Sequence, residues 1–168
     1  MQITDKGRVK LIKQKPRSHR GPHAEIPAWK KLENDVASYF NARMEREPMF
    51  YHRFYDTHSA NTFLPAQPGD HQIIKQGHTT VIETKQSSIH VSLVSCFSAV
   101  FGGSSQLTFA RLIIRAGADY WVVFQGTGGY ELWDGGLLYK KKLTGARLNR
   151  LETLKLAPTL EQLLAGHI

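Results

Sequence analysis

Three side chains suited to metal or phosphate chemistry occur within sixteen positions near the middle of the sequence. Asp70 opens the segment DHQIIKQ, and Glu83 and Lys85 lie at the end of the segment TTVIETKQ. Gly77 and His78 separate the two segments and fit a two-residue hairpin loop with glycine at its first central position. We therefore predict that these charged residues belong to two paired strands.

The position of that loop determines which side chains share a face. A loop at this site pairs Asp70 with Lys85 and Gln72 with Glu83. Side chains two residues apart on a strand point to the same face, so Glu83 and Lys85 should lie together. Asp70 would then lie directly opposite Lys85 and diagonal to Glu83. The sequence thus predicts two carboxylates and one ammonium group at the outer end of one sheet face.

Three interpretations of this cluster remain open. A cross-strand ion pair would contribute at most about 1 kcal/mol. Two carboxylates and a backbone carbonyl are also oxygen ligands that hold Mg²⁺, with water completing the shell. A lysine beside such a cation would position an attacking water and stabilise charge developing on a phosphate. The Glu-X-Lys spacing alone decides nothing, since a chain with this many glutamates and lysines contains it by chance.

A further carboxylate, Glu33, lies on a helix predicted over residues 27–46. Apolar residues recur there at helical spacing: Trp29, Leu32, Val36, Phe40 and Met44. Glu33 falls at the edge of this apolar face, where an uncompensated carboxylate is unfavourable. It either forms a structural salt bridge or contributes to a metal site.

The remaining patterns predict a mixed sheet flanked by helices, which is an α/β fold. They indicate a strand at 49–56, an ambiguous segment at 87–103, a helix at 104–116, a buried strand at 119–125, two more strands within 130–142 and a helix after Thr159. On the 104–116 helix we expect these residues to face inward: Leu107, Ala110, Leu112, Ile113 and Ile114. We expect a single domain at 26–168 after a basic arm at 1–25.

Composition limits the partners and the compartment. The formal net charge is +8 and the sequence pI is about 9.7, which favours nucleic acid first and an anionic membrane surface second. A basic protein without a polyanionic partner remains the alternative. The single cysteine, Cys96, fits a reducing compartment, and the sequence predicts neither a membrane span nor a secretory signal. We expect a cytoplasmic, nucleoid-associated protein that either a cell or a virus encodes.

Several segments together resemble the PD-(D/E)XK nuclease superfamily, and within it the archaeal-type and RecU-like Holliday junction resolvases. The resemblance covers about residues 28–125 and is carried by KKLENDVASYF, FYDTHSAN, PGD, VIETKQSS, SLVS and SSQLTFARLIIRAGADYWVVF. It implies a restriction-endonuclease-like αβββαβ core. One departure is Gly69, which separates Pro68 from Asp70.

The resemblance also implies roles for individual residues. Asp70 and Glu83 match the metal-binding carboxylates, and the backbone carbonyl of Thr84 would be a further ligand. Lys85 matches the catalytic lysine. Glu33 matches a helix glutamate that completes the metal shell directly or through water. Ser59, or else Thr57, falls where the family has a small hydroxyl residue near the scissile phosphate, and Gln106 matches a helix glutamine.

The function implied is a Mg²⁺-dependent endonuclease that resolves four-way DNA junctions as a homodimer, with Mn²⁺ able to replace Mg²⁺. Two alternatives remain: another DNA nuclease of the same fold, and a non-catalytic basic DNA-binding module. The expected DNA contacts are Arg8, Lys10, Lys13, Lys15, Arg17, Arg20, Gln106, Lys140, Lys141 and Lys142. For the arm, a solubilising tail is the competing interpretation, and for the last three lysines it is a solvated strand end.

Overall fold

The computed structural model describes residues 27–54, 67–101 and 103–166. The helices are α1 (Ala28–Met44), α2 (Leu93–Val100), α3 (Ser104–Arg115), α4 (Gly135–Thr144) and α5 (Leu160–Leu164), with a 3-10 turn at Arg150–Glu152. The strands are β1 (Met49–Arg53), β2 (His71–Lys75), β3 (His78–Gln86), β4 (Asp119–Gly126), β5 (Gly129–Asp134) and β6 (Lys155–Ala157).

The described strands form one sheet in the order β1-β2-β3-β4-β5-β6. β3 and β4 run parallel, and the other neighbouring pairs are antiparallel. Parallel neighbours need a crossover connection, which α2 and α3 supply. The mixed α/β sheet flanked by helices that the sequence predicts is therefore confirmed, with the elements α1 to β4 in the expected order.

Helices cover both faces of the sheet. One apolar cluster joins the sheet to α1 and α5, and it includes Leu32, Phe40, Ile73, Ile82 and Leu163. The other joins it to α2, α3 and α4, and it includes Val81, Leu93, Ala110, Tyr120 and Leu138. β4 contributes to both clusters, which confirms the buried strand predicted at 119–125.

Some residues expected to face inward are exposed. Met44, the last residue of α1, is 42% exposed, and on α3 Leu112 and Ile114 are also exposed. At 100° per residue, Leu112 lies roughly 200° around the helix from the buried Ala110. The apolar residues of α3 thus span more of its circumference than one contact face can cover.

The hairpin turn lies one residue earlier than predicted. Lys75 pairs with His78, so Gln76 and Gly77 are the central turn residues, with φ of 53° and 80°. Two positive φ angles are what a type I′ turn requires. The prediction of Gly77-His78 was wrong because a glutamine in the left-handed region gives no sequence signal.

The second strand predicted within 130–142 is also wrong, because β5 is followed directly by α4. The Asp134 carboxylate accepts a hydrogen bond from the Leu137 backbone N–H at 2.8 Å and so caps the helix. Gly135 allows a close approach to β4, since a Cβ there would lie 2.6 Å from the carbonyl oxygen of Tyr120. A short apolar run did not distinguish strand from helix.

The ambiguous segment at 87–103 contains α2. The Ser92 hydroxyl caps the helix by accepting from Val94 N–H. The buried Glu131 carboxylate on β5 accepts from Leu93 N–H at 3.0 Å and from Trp133 Nε1 at 2.8 Å. These contacts fix the start of α2 against the sheet.

Within the described ranges no single helix has the length and apolar character to cross a membrane. A bent pair formed by Leu93–Val100 and Ser105–Arg115 meets the criterion on length and composition alone.

Candidate active site

Asp70 lies where the regular pairing of β2 with β3 ends. The last regular pair is His71 with Ile82, and the Asp70 N–H donates to the Ile82 carbonyl at 2.9 Å. The Asp70 Oδ2 atom accepts from both the N–H and the Oγ1 hydroxyl of Thr84, each at 2.6 Å. Just before the start of β2, the Asp70 carboxylate therefore provides the hydrogen-bond partner that a neighbouring strand would otherwise provide. The predicted register placed Asp70 opposite Lys85. That pairing was wrong, because His71 pairs with Ile82.

Glu83 lies beside this aspartate on β3. Its Oε1 atom accepts from the Lys85 ammonium at 2.7 Å and from Gln106 Nε2 on α3 at 2.5 Å. The Glu83 side chain is 8% exposed and that of Lys85 is 20% exposed. The structure thus brings Glu83 and Lys85 together on one face, as period-two alternation predicts, with the lysine nearer to solvent.

The surroundings of Glu83 disfavour its ionised form. Burial raises the pKa of this carboxyl to about 7, with the negative charge of Asp70 as the next cause, while Lys85 opposes the rise. Two carboxylates and one ammonium group therefore leave an excess of negative charge in a poorly solvated position. A cation bound there would relieve this excess.

The two carboxylates each keep one oxygen without a hydrogen bond to a described residue, namely Oδ1 of Asp70 and Oε2 of Glu83. In the described part of the chain, no three histidine, cysteine, aspartate or glutamate side chains form a group that could hold a metal ion. Mg²⁺ is usually held by only one or two carboxylates and keeps several waters. The donor set present therefore suits Mg²⁺ and does not suit a site built entirely from protein ligands.

Glu33 is engaged in an ion pair. Its Oε2 atom accepts from Arg53 Nη2 at 2.8 Å, and Arg53 Nη1 donates to Asn34 Oδ1 at 2.6 Å. The charge of Glu33 also raises the pKa of Glu83, so the two carboxyl groups lie within electrostatic range. The salt bridge considered from the sequence is present, and a role of Glu33 at a metal remains a prediction.

Tyr120 is a residue of this region that sequence reasoning missed. It lies on β4 on the same face as Glu83, and its buried hydroxyl has no hydrogen-bond partner among the described residues. Burial raises the pKa of the Tyr120 hydroxyl, with the charges of Glu83 and Asp70 as further causes. Two-residue alternation places Tyr120 on the same face as Val122, but the sequence does not show which residue of β3 lies beside Tyr120.

Several predicted residues cannot be placed at this site. Ser59 and Thr57 lie outside the described residues, as do the six basic residues of the arm predicted to contact DNA. The lysines expected near a strand end lie on α4 instead. Lys141 Nζ contacts Glu152 Oε1 at 2.7 Å and Lys142 Nζ donates to the Ser98 carbonyl at 3.0 Å, whereas Lys140 is exposed.

Comparison with known proteins identifies no family. No protein-family model matches the chain, and no curated protein matches it. Among solved structures it is similar to that of Hjc, a Holliday junction resolvase from the archaeal hyperthermophile Archaeoglobus fulgidus, with a TM-score of 0.42 and 12% sequence identity over 64% of this chain and 76% of that chain.

Proposed function

We propose that this protein is a divalent-metal-dependent DNA endonuclease. The observation that carries the proposal is the proximity of the Asp70 and Glu83 carboxylates at the start of β2. Each carboxylate has one oxygen that accepts no hydrogen bond from a described residue, and Lys85 lies 2.7 Å from Glu83. A purely structural ion pair between Lys85 and Glu83 would not need Asp70 beside it, whose negative charge adds to the burial that raises the pKa of Glu83 to about 7.

Asp70 and Glu83 would hold the cation, with the Thr84 backbone carbonyl and Glu33, directly or through water, completing the protein contribution. A bound Mg²⁺, or Mn²⁺ in its place, would act as a Lewis acid that stabilises negative charge on a phosphate oxygen. Glu33 would have to share its carboxylate with Arg53, which already binds it at 2.8 Å.

Lys85 would act on the substrate. Gln106 would act on Glu83. The Lys85 ammonium is the more exposed member of its ion pair with Glu83, so a phosphate group entering from solvent would contact it. The ammonium would then stabilise the negative charge that develops on the phosphate. Gln106 Nε2 fixes the orientation of the Glu83 carboxylate. In the hydrolysis, a water oxygen joins phosphorus, the bond from phosphorus to the 3′ oxygen breaks, and that oxygen takes a proton. The ends would be 5′-phosphate and 3′-hydroxyl.

The net charge of +8 favours a polyanionic substrate. The resemblance of residues 28–125 to junction resolvases supports four-way DNA junctions as this substrate. A junction has two-fold character and needs two nicks, so we propose a homodimer with one active site per subunit. The protein would act in the compartment that holds the DNA.

A non-catalytic DNA-binding module is the competing function. It is favoured by one observation: Asp70, Glu83 and Glu33 already have partners within the protein, Thr84, Lys85 and Arg53. In that case the cluster would only stabilise the fold.

Cutting assays separate these functions. The full-length protein is incubated with a labelled four-way junction, a linear duplex and a single strand, in Mg²⁺ or in EDTA. We expect paired nicks in the junction in Mg²⁺ only. Cutting of all three substrates would point to a broader DNA nuclease, and tight binding without metal-dependent cutting would overturn the nuclease proposal.

A further inference from the structure

Three aromatic rings form a row along the outer strand β1. Phe50, His52 and Phe54 alternate along the chain and therefore lie on one face. The rings of Phe50 and His52 are parallel within 7° with centroids 6.5 Å apart, and those of His52 and Phe54 meet edge to face at 5.1 Å. Phe50 is 53% exposed and His52 is exposed. We call these three residues the β1 aromatic row.

The row lies on the same sheet face as Glu83 and Lys85. Directly opposite residues of antiparallel strands share a face, and His52 pairs with Gln72, which pairs with Val81. Val81 lies two residues before Glu83 on β3. Phe54 N–H donates to the Asp70 carbonyl at 2.9 Å, so the row ends beside the candidate active site.

Helices do not cover this part of the face in the described structure. The apolar cluster under α2, α3 and α4 starts at Val81 and includes no residue of β1 or β2. Ile74, directly opposite Phe50, is 36% exposed. The sheet therefore presents aromatic surface to solvent next to carboxylates suited to metal binding.

The size and setting of the row favour nucleic acid bases over a second protein chain. An aromatic side chain buries about 150–250 Å², so three partly exposed rings offer less than the roughly 800 Å² per partner that a stable protein interface needs. The chain carries a net charge of +8, which attracts a phosphate backbone. Aromatic rings on an open sheet face are a common platform on which unpaired bases stack.

We propose that the β1 aromatic row stacks unpaired bases next to the phosphate that is cut. The preferred substrate would then be DNA with opened or single-stranded nucleotides beside a duplex, a class that includes the branch point of a junction. The inference depends on the proposed function only for the position of the cut, because the stacking itself needs no metal and no chemistry.

Binding to a single strand in EDTA tests the proposal directly. Full-length protein is titrated into a fluorescein-labelled ten-nucleotide oligo-dT, and anisotropy gives Kd. The variants are Phe50→Ala, Phe50→Leu, which keeps apolar surface but no π face, and Phe50→Tyr, which keeps the ring. Leu151→Ala is the matched control, since Leu151 is 91% exposed on the 3-10 turn.

We expect the alanine and leucine variants to raise Kd by about 5-fold to 150-fold, the equivalent of the roughly 1–3 kcal/mol that stacking of one base contributes. Phe50→Tyr and Leu151→Ala should bind as the wild type does. Unchanged binding by Phe50→Leu would overturn the proposal. A change in sedimentation with unchanged oligo-dT binding would also overturn it and make the row a protein interface.

The outcomes also separate this proposal from the nuclease proposal. If the wild type cuts no DNA in Mg²⁺ while Phe50→Leu weakens oligo-dT binding, the nuclease proposal fails and the stacking surface stands. If the wild type cuts DNA and the Phe50 variants bind oligo-dT normally, the stacking surface fails and the nuclease proposal stands.

Discussion

The Lys85 ammonium lies 2.7 Å from Glu83 Oε1, and its charge lowers the pKa of a carboxyl that burial and Asp70 raise. Lys85→Met should therefore raise the pKa of Glu83 further. At pH 7 a larger fraction of Glu83 would be protonated, and cation affinity should fall because metal ligands must be deprotonated.

Calorimetric titration with Mn²⁺ at pH 7 and pH 9 measures this effect. We expect the Lys85→Met variant to bind Mn²⁺ more weakly at pH 7 and to recover at pH 9. Cutting should stay at least about 100-fold reduced at both pH values, because the charge on the phosphate is no longer stabilised. Lys31→Met, an exposed lysine of α1, is the control. Equal Mn²⁺ affinity of variant and wild type at pH 7 would contradict this account of Lys85.

Glu83 should make the metal-free protein less stable as the pH rises. Its pKa is raised from 4.5 to about 7 in the folded chain, so the folded state holds its proton more tightly than the unfolded state. The resulting stabilisation is full below pH 4.5 and is lost as the pH rises through about 7. The shift in the pKa of Glu83 corresponds to a loss of roughly 3 kcal/mol in the free energy of unfolding.

Urea unfolding in EDTA at pH 5 and pH 8 compares the wild type with Glu83→Gln, which cannot ionise. We expect the wild type to lose more stability than the variant between these two pH values, and Mg²⁺ to restore part of the loss at pH 8. The same dependence on pH in both proteins would show that Glu83 titrates normally.

Tyr120→Phe should leave the protein at least as stable as the wild type. The Tyr120 hydroxyl is buried without a hydrogen-bond partner in the described structure, and an unsatisfied buried hydroxyl costs about 1–3 kcal/mol. Tyr130→Phe is the matched control, because Gln125 Nε2 donates to the Tyr130 hydroxyl at 2.9 Å. Loss of this hydrogen bond should lower the free energy of unfolding by about 1 kcal/mol. A destabilised Tyr120→Phe protein would show that the hydroxyl has a partner.

Gln76→Asn should stabilise the hairpin that carries the site. Gln76 has φ of 53°, and asparagine tolerates the left-handed region that a type I′ turn requires there. We expect a gain of a few tenths to about 1 kcal/mol in the free energy of unfolding. Gln72→Asn, on β2, should be neutral or destabilising. A gain at Gln72 but not at Gln76 would contradict the observed turn.

The sequence was sufficient for features that depend on local pattern. Two-residue alternation placed Glu83 beside Lys85, and apolar spacing placed Leu32 and Phe40 in the core. These predictions succeeded because each needs only the geometry of one strand or one helix.

Features that depend on long-range contacts or on unusual backbone conformations could not be predicted. The turn was misplaced because Gln76 adopts a positive φ without being a residue typical of that region. The neighbourhood of Tyr120 depends on how β4 pairs with β3, across a connection of more than thirty residues. The sequence predicts a strand where α4 lies, although Asp134 is a usable capping signal.

Single-turnover cutting of a prebound four-way junction by Asp70→Asn and Glu83→Gln tests the central claim most directly. Asparagine and glutamine keep an oxygen for the present hydrogen bonds but remove the charge that would hold a cation, and Glu161→Gln on α5 is the exposed control. We expect both site variants to cut at least about 1,000-fold more slowly than the control. Their affinity for the junction should be similar to that of the control, since affinity comes mainly from basic residues. Cutting by either site variant at the rate of the control would contradict the assignment of Asp70 and Glu83 as the metal-binding carboxylates of a nuclease.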